Sequence, residues 1–170
     1  MTAAAVVDDQ LIARLTAIVG ADHVRAAPGA TAAYARDATP LLQHSPDVVV
    51  HPGSADEVAA VLRLATEGRV PVVPRAAGTN LCGATVPLTG GIVLVLTRLD
   101  QIREISPPEL LAVCEPGVST ATLAAAVAEH GLLYPPDPGS RAVSTIGGNI
   151  ATCAGGLRGL KYGVTRNYVL

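Results

Sequence analysis

The chain has no Phe and no Trp, and aromatic residues make up only 2% of its 170 positions. Much of the 49% apolar content is Ala, so any core must be built from Val, Leu and Ile. An excess of either charge is also lacking, with 12 basic Lys and Arg against 14 acidic residues. The net charge is −2 and no basic patch occurs, which excludes a nucleic-acid footprint. Cys82, Cys114 and Cys153 are odd in number and have no ligand spacing. Neither a disulfide framework nor a metal site is indicated, and a reducing cytoplasm is expected. The start, MTAAAVVDDQ, has no positive n-region and is broken by Asp8 and Asp9, so no signal peptide is expected. The apolar run at residues 92–96 is far too short to span a bilayer, so no transmembrane segment is expected. No internal repeat or low-complexity linker is present.

What is present begins with a helix pattern. Asp8 or Asp9 can cap a helix to about Val19, with Leu11, Ile12, Leu15, Ile18 and Val19 on one face. Residues 22–45 hold the breakers Pro28, Gly29 and Pro40 and read as a docking arm with short elements. Val48–Val50 reads as a strand. Ser54-Ala-Asp-Glu57 reads as a capping box. Val58, Val61, Leu62 and Ala65 form a helical stripe that Gly68 is suited to end, and Val70–Val73 is the next strand. This is a β-α-β unit, expected to cross over with the right hand. Residues 91–96 and 110–115 read as two more strands, with a possible hairpin at Pro107-Pro108. Ser119 or Thr120 caps a helix bearing Leu123, Ala126 and Val127 and closed by Gly131. The closing RNYVL reads as the start of a strand.

Two glycine-rich stretches carry the functional signal. PRAAGTNLCGATVP, residues 74–87, is longer than a turn between strands requires and is mostly without bulk. Successive N–H groups in such a loop form a concave nest for phosphate oxygens; a plain structural turn is the alternative. The GxxxxG from Gly78 to Gly83 is followed by Ala-Thr, so it is not a Walker P-loop, and no GxGxxG opens a helix. The second stretch, residues 134–163, holds seven of the 17 glycines. Two such loops suggest one large, planar, phosphorylated ligand. Arg75 can offset phosphate charge or make an internal ion pair. Asp137, within Pro-Pro-Asp-Pro, can form a turn or accept from a ligand. Asn149 can cap a short helix or orient a ligand, and capping is the simpler reading. His23, His44, His51 and His130 all lie outside both loops, which favours surface or structural roles.

Three long motifs occur in order: PVVPRAAGTNLCGATVPLTGGIVLVLTRLD, EPGVSTATLAAAVAEHGLLYPPDP and STIGGNIATCAGGLRGLKYG. Together they resemble the FAD-binding PCMH-type domain of the vanillyl-alcohol-oxidase flavoprotein superfamily, nearest the group of FAD-linked glycolate oxidases and D-lactate dehydrogenases. The resemblance implies an α+β fold with an N-terminal β-α-β subdomain, a mixed sheet and part of a second subdomain. Residues 1–45 would be the helix and arm, and 46–170 the FAD-binding domain, incomplete at its C-terminus. It further implies that Arg75, Ala76, Ala77, Gly78, Thr79, Asn80 and Leu81 wrap the FAD pyrophosphate. Asp137, Ser144, Thr145, Gly148, Asn149 and Thr152 would line the flavin and ribityl chain. Two positions depart from the family, which often has Gly where Ala76 stands and Asn where Cys153 stands.

The resemblance implies oxidation of a 2-hydroxy acid, such as glycolate or D-lactate, by hydride transfer to FAD. Family members continue into further strands and a substrate cap domain. The base and carboxylate clamp are therefore expected outside this stretch, no catalytic residue is assigned, and the chain alone is expected to be inactive. Covalent relatives place a His where Thr79 stands, so FAD is expected to be non-covalent, with Cys153 the one thiol near the flavin side. The electron acceptor stays open. The rival reading is a non-catalytic flavin-binding module or an inactive fragment that needs a partner chain.

Overall fold

The computed structural model describes residues 7–170, so the reading of the first six residues as free of a leader lies outside the described residues. The chain divides into two compact units, Met1–Arg98 and Leu99–Leu170.

The first unit is a four-stranded sheet with helices. Helix α1, Asp9–Val19, is capped by the Asp8 carboxylate, which accepts from the Leu11 N–H at 2.8 Å. Strand β1 (Val24–Arg25), the single-turn helix α2 (Pro28–Thr31) and a 3-10 turn at Ala32–Tyr34 follow. Then come β2 (Val48–Val50), α3 (Ala55–Gly68), β3 (Val72–Arg75) and β4 (Ile92–Val95). The strand order is β1-β2-β4-β3; β1 is antiparallel to β2, and β4 is parallel to both its neighbours. The β2-α3-β3 crossover therefore leaves a gap that β4 fills.

Burial explains the unbroken apolar runs. Val48, Val50, Ile92 and Leu94 face α1 and α3, where Leu11, Leu15, Val61 and Leu64 complete the core. Val49, Val93 and Val95 face the other side, against Tyr34 and Val73. A parallel strand covered on both faces needs apolar side chains at every position. The segment read as helix and arm thus supplies both core side chains and the edge strand β1.

The Ser54 cap forms as expected: its hydroxyl accepts from the Glu57 N–H at 3.2 Å. The Glu57 carboxylate reaches back one residue further, to the Gly53 N–H at 2.7 Å. At the other end Gly68 is still helical, and Arg69 takes the left-handed conformation at φ 53°. Strand β3 also starts two residues later than the apolar pattern suggests.

The second unit opens with a hairpin, β5 (Ile102–Ser106) and β6 (Leu111–Cys114). The turn at Pro107-Pro108 is a hairpin, but it joins β6 to β5, a strand that the apolar pattern does not reveal; residues 91–96 pair inside the first sheet. Helix α4 (Thr120–Ala128) is capped by Ser119, whose hydroxyl accepts from the Thr122 N–H at 3.0 Å. Its Leu123 and Val127 pack with Val118 and Ile146 over the hairpin. Helix α5 (Ile146–Thr152), a single turn α6 (Gly159–Tyr162) and a 3-10 helix at Thr165–Tyr168 complete the unit. RNYVL is therefore not the start of a strand: Arg166 to Tyr168 lie in that 3-10 helix, where the Tyr168 hydroxyl donates to the Tyr162 carbonyl. Among the described residues no helix is long and apolar enough to cross a membrane.

Candidate functional site

In the first unit, β3 delivers the chain into the loop through Arg75, whose residue exposure is only 9%. Its Nη1 donates to the Arg36 carbonyl at 2.7 Å and lies 3.4 Å from the Thr85 hydroxyl. The guanidinium sits 5.6 Å from the centre of the Tyr34 ring. Burial pulls the Arg75 pKa below its ordinary value, while the charge of Asp37 and the Tyr34 hydroxyl act the other way. One Asp37 carboxylate oxygen is buried without a hydrogen-bond partner. Arg75 is thus held by a carbonyl, a ring and a nearby carboxylate rather than by a direct ion pair.

The loop beyond it is left hungry for acceptors. Among the described residues, none of the backbone N–H groups of Ala76, Ala77, Gly78, Thr79, Asn80 and Leu81 donates a hydrogen bond. An unpaired N–H held off water costs about 1–3 kcal/mol. Six in succession lack a protein acceptor, and Ala76 to Asn80 are half-buried; a run of this kind is able to receive an oxygen-rich anion. Gly78 has φ 69°, which favours glycine. A Cβ there would lie 2.2 Å from Arg75 Nη2, so the cation sits directly against the loop backbone. Ala76 is not among the residues with positive φ, so its methyl is compatible with the same backbone. The Asn80 side chain organises the far end: its Oδ1 accepts from the Ala84 N–H at 3.1 Å and its Nδ2 donates to Thr85 at 3.1 Å.

The second unit holds the remaining positions, and several are already engaged. Ser144, Thr145 and Asn149 are buried. Thr145, not Asn149, caps α5, its hydroxyl accepting from the Gly148 N–H at 3.3 Å. Asn149 lies inside α5 and its Nδ2 donates to the Thr120 hydroxyl at 2.7 Å, so the capping reading of Asn149 is overturned. Thr120 and Ser144 hydroxyls are 2.9 Å apart. Burial raises the Tyr134 pKa, with the neighbouring Thr165 and Asn149 acting the other way. Residue spacing gave no sign of Thr120, Tyr134 or Thr165 in this network, because the three come from separate segments.

The first N–H groups of α5 are also taken: Ile146 donates to the Val118 carbonyl and Gly147 to the Pro116 carbonyl, both at 2.9 Å. This helix start therefore offers no free phosphate nest of the kind the first loop does. Thr152 is exposed and its hydroxyl donates to the Gly148 carbonyl at 3.0 Å. Asp137 binds two arginines, Arg141 at 3.2 Å and Arg158 at 3.5 Å. Its N–H donates to the Gly155 carbonyl, which makes the Pro-Pro-Asp-Pro stretch a fixed strap over the glycine pair. Cys153 occupies the left-handed cap of α5 at φ 50°, a conformation in which Asn is at home. A hydrogen bond with Arg166 pulls the Cys153 thiol below its ordinary pKa.

The profile of the FAD binding domain family matches residues 46–170. The chain is 53% identical over 137 residues to the glycolate oxidase subunit GlcD of Bacillus subtilis (strain 168), covering 81% of this chain and 29% of that one. It is 44% identical to D-lactate dehydrogenase of Anaerostipes hadrus, over 73% of this chain and 26% of that one. Among solved structures, alkyldihydroxyacetonephosphate synthase superposes with a TM-score of 0.85 at 22% identity, over 98% of this chain and 32% of that one. The 4-ethylphenol oxidase of Gulosibacter chungangensis superposes with a TM-score of 0.70 at 30% identity, over 82% of this chain and 28% of that one. The family match and the fold define an FAD-binding domain of the PCMH type. The chain belongs to the FAD binding domain family. It spans 29% and 26% of the length of those two curated relatives.

Proposed function

We propose that this chain is the cofactor-binding part of an FAD-dependent oxidoreductase that acts on a 2-hydroxy acid such as glycolate or D-lactate. The observation that carries the reading is the run of six unpaired backbone N–H groups from Ala76 to Leu81. In this reading they donate to the pyrophosphate oxygens of FAD, and Arg75 offsets the phosphate charge from beneath. Asp137, Ser144, Thr145, Gly148, Asn149 and Thr152 serve the flavin and ribityl end. The buried hydroxyls and amide of that group act by fixing α5, and Gly148 and Thr152 by backbone and surface contact. Bound there, FAD supplies the two-electron acceptor for oxidation of the hydroxy acid. The substrate class rests on the names of the relatives, one a glycolate oxidase component and the other a D-lactate dehydrogenase. No residue of this chain is assigned as the catalytic base.

The cofactor is held without a covalent bond in this reading. Thr79 has no imidazole nitrogen to link to the flavin. Free thiols at all three cysteines suit a reducing, cytoplasmic compartment. A second reading, a module that works only with a partner chain, is favoured because two relatives are named as subunits. Acid precipitation of the FAD-loaded protein tests the cofactor mode: yellow colour stays in the supernatant, and flavin fluorescence on the denatured polypeptide would overturn it. Anaerobic addition of glycolate or D-lactate to the protein as the cell makes it tests the substrate class. Bleaching of the flavin absorbance by either acid is expected, and bleaching by no 2-hydroxy acid would overturn the assignment.

A further inference from the structure

The loop from Ala76 to Leu81 is braced by residues that precede the stretch matched by the FAD binding domain family, which begins at residue 46. Three bonds run from that earlier segment, one to Arg75 at the end of β3 and two to the loop. Arg75 Nη1 donates to the Arg36 carbonyl at 2.7 Å. The Ala38 N–H donates to the Asn80 carbonyl at 3.1 Å. The Thr39 hydroxyl donates to the Leu81 carbonyl at 2.8 Å. Leu42 adds an apolar contact, packed so closely on Gly83 that a Cβ there would stand 2.3 Å from its Cδ1. The segment is itself rigidified by Asp37, whose Oδ1 accepts from the Thr39 N–H at 2.8 Å.

A peptide group is planar and trans, so its N–H points opposite to its C=O. With the Asn80 carbonyl turned to Ala38, the N–H of Leu81 points away from the arm. At the start of the loop, the Arg75 carbonyl accepts from the Leu96 N–H at 2.8 Å, which turns the Ala76 N–H away from β4. Each end of the unpaired run is therefore oriented by a carbonyl that the protein has fixed, and at the far end the fixing group is the arm. The next peptide, held by Thr39 through the Leu81 carbonyl, directs the Cys82 N–H to Asn80 Oδ1 at 3.4 Å.

We propose that Arg36–Thr39 is a positioning element for the cofactor loop, and that Thr39 is a positioning residue that sets how tightly the loop holds a pyrophosphate. This rests on the assignment of the loop to FAD. Thr39 touches no cofactor in this scheme; its hydroxyl acts through the Leu81 peptide.

The test is titration of the full chain with FAD and with ADP by calorimetry, in Thr39→Val and Thr39→Ser beside the wild type, together with the melting temperature of each unliganded protein. Thr39→Val keeps the shape and loses the hydroxyl, so FAD and ADP should both bind about threefold to tenfold more weakly. Thr39→Ser keeps the hydroxyl and should bind as the wild type does. The melting temperatures without ligand should agree, because the bond is at the surface and the effect is on the shape of the loop. Equal affinity in Thr39→Val and wild type would overturn the proposal. So would weak binding by Thr39→Ser, or a loss of affinity matched by a fall in melting temperature. A wild-type chain that binds neither ligand would overturn the FAD assignment itself and this proposal with it, an outcome distinct from equal binding by wild type and variant.

Discussion

The guanidinium of Arg75 lies directly behind the Cα of Gly78: an added Cβ would stand 2.2 Å from Nη2 and 2.6 Å from Cζ. The smallness of the loop therefore has an internal cause as well as an external one. Gly78 gives Arg75 the space to approach the backbone from inside.

Gly78→Val should remove FAD binding, by more than tenfold in affinity. The substitution sets a β-branched residue at φ 69°, which costs roughly 1–2 kcal/mol, and displaces Arg75. His130→Ala, at an exposed position just after α4, should bind FAD as the wild type does. Flavin content after gel filtration checks both, and equal content in the two proteins would contradict the loop assignment.

Asn149→Ala should destabilise the chain by about 1–3 kcal/mol, since it removes a buried donor to Thr120 and leaves polar partners unsatisfied. Urea unfolding of the apoprotein checks this. A variant as stable as wild type, but weak in FAD binding, would show instead that Asn149 serves the ligand alone.

Gly78 and Asn149 mark where the sequence was legible and where it was not. The β2-α3-β3 pattern could be read because apolar side chains fill both faces of its strands and Ser54 announces the helix. Strand β5 could not. A register shift between Ile102 and Glu104 breaks the two-residue alternation, so Ile102 and Ile105 both reach the core three positions apart. Asn149 was misread because an Asn after two glycines suits a cap, yet its partner Thr120 lies 29 residues away in sequence, beyond any local pattern. The residues 75–81 could be singled out by their lack of bulk, but the bonds from Arg36, Ala38 and Thr39 depend on tertiary placement. Arg69 took the left-handed place expected to follow from Gly68 because the helix runs one residue further than the glycine suggests.

Stability should fall as the pH drops below about 6.5, in part through His51. Burial lowers its pKa from the ordinary value of 6.5, with the charges of Arg25, His23 and Arg98 adding to the effect. The unfolded chain then binds the proton more readily than the folded one, so the stabilisation present above 6.5 is lost on acidification. The neutral ring is placed to meet the Tyr34 hydroxyl, 3.2 Å from Nε2. His51→Gln should flatten this part of the profile as the pH falls below the ordinary histidine value of 6.5, measured by denaturant midpoint. An unchanged slope would show that His51 is not responsible.

The central claim is that the backbone of residues 76–81 holds the pyrophosphate of FAD. Amide chemical shifts of the nitrogen-15-labelled 17.2 kDa chain, followed during titration with ADP and then FAD, test it most directly. The account predicts that the N–H signals of Ala76, Ala77, Gly78, Thr79, Asn80 and Leu81 move farthest with both ligands, since each gains an acceptor it lacks. Binding of either ligand that leaves those six signals in place would contradict it.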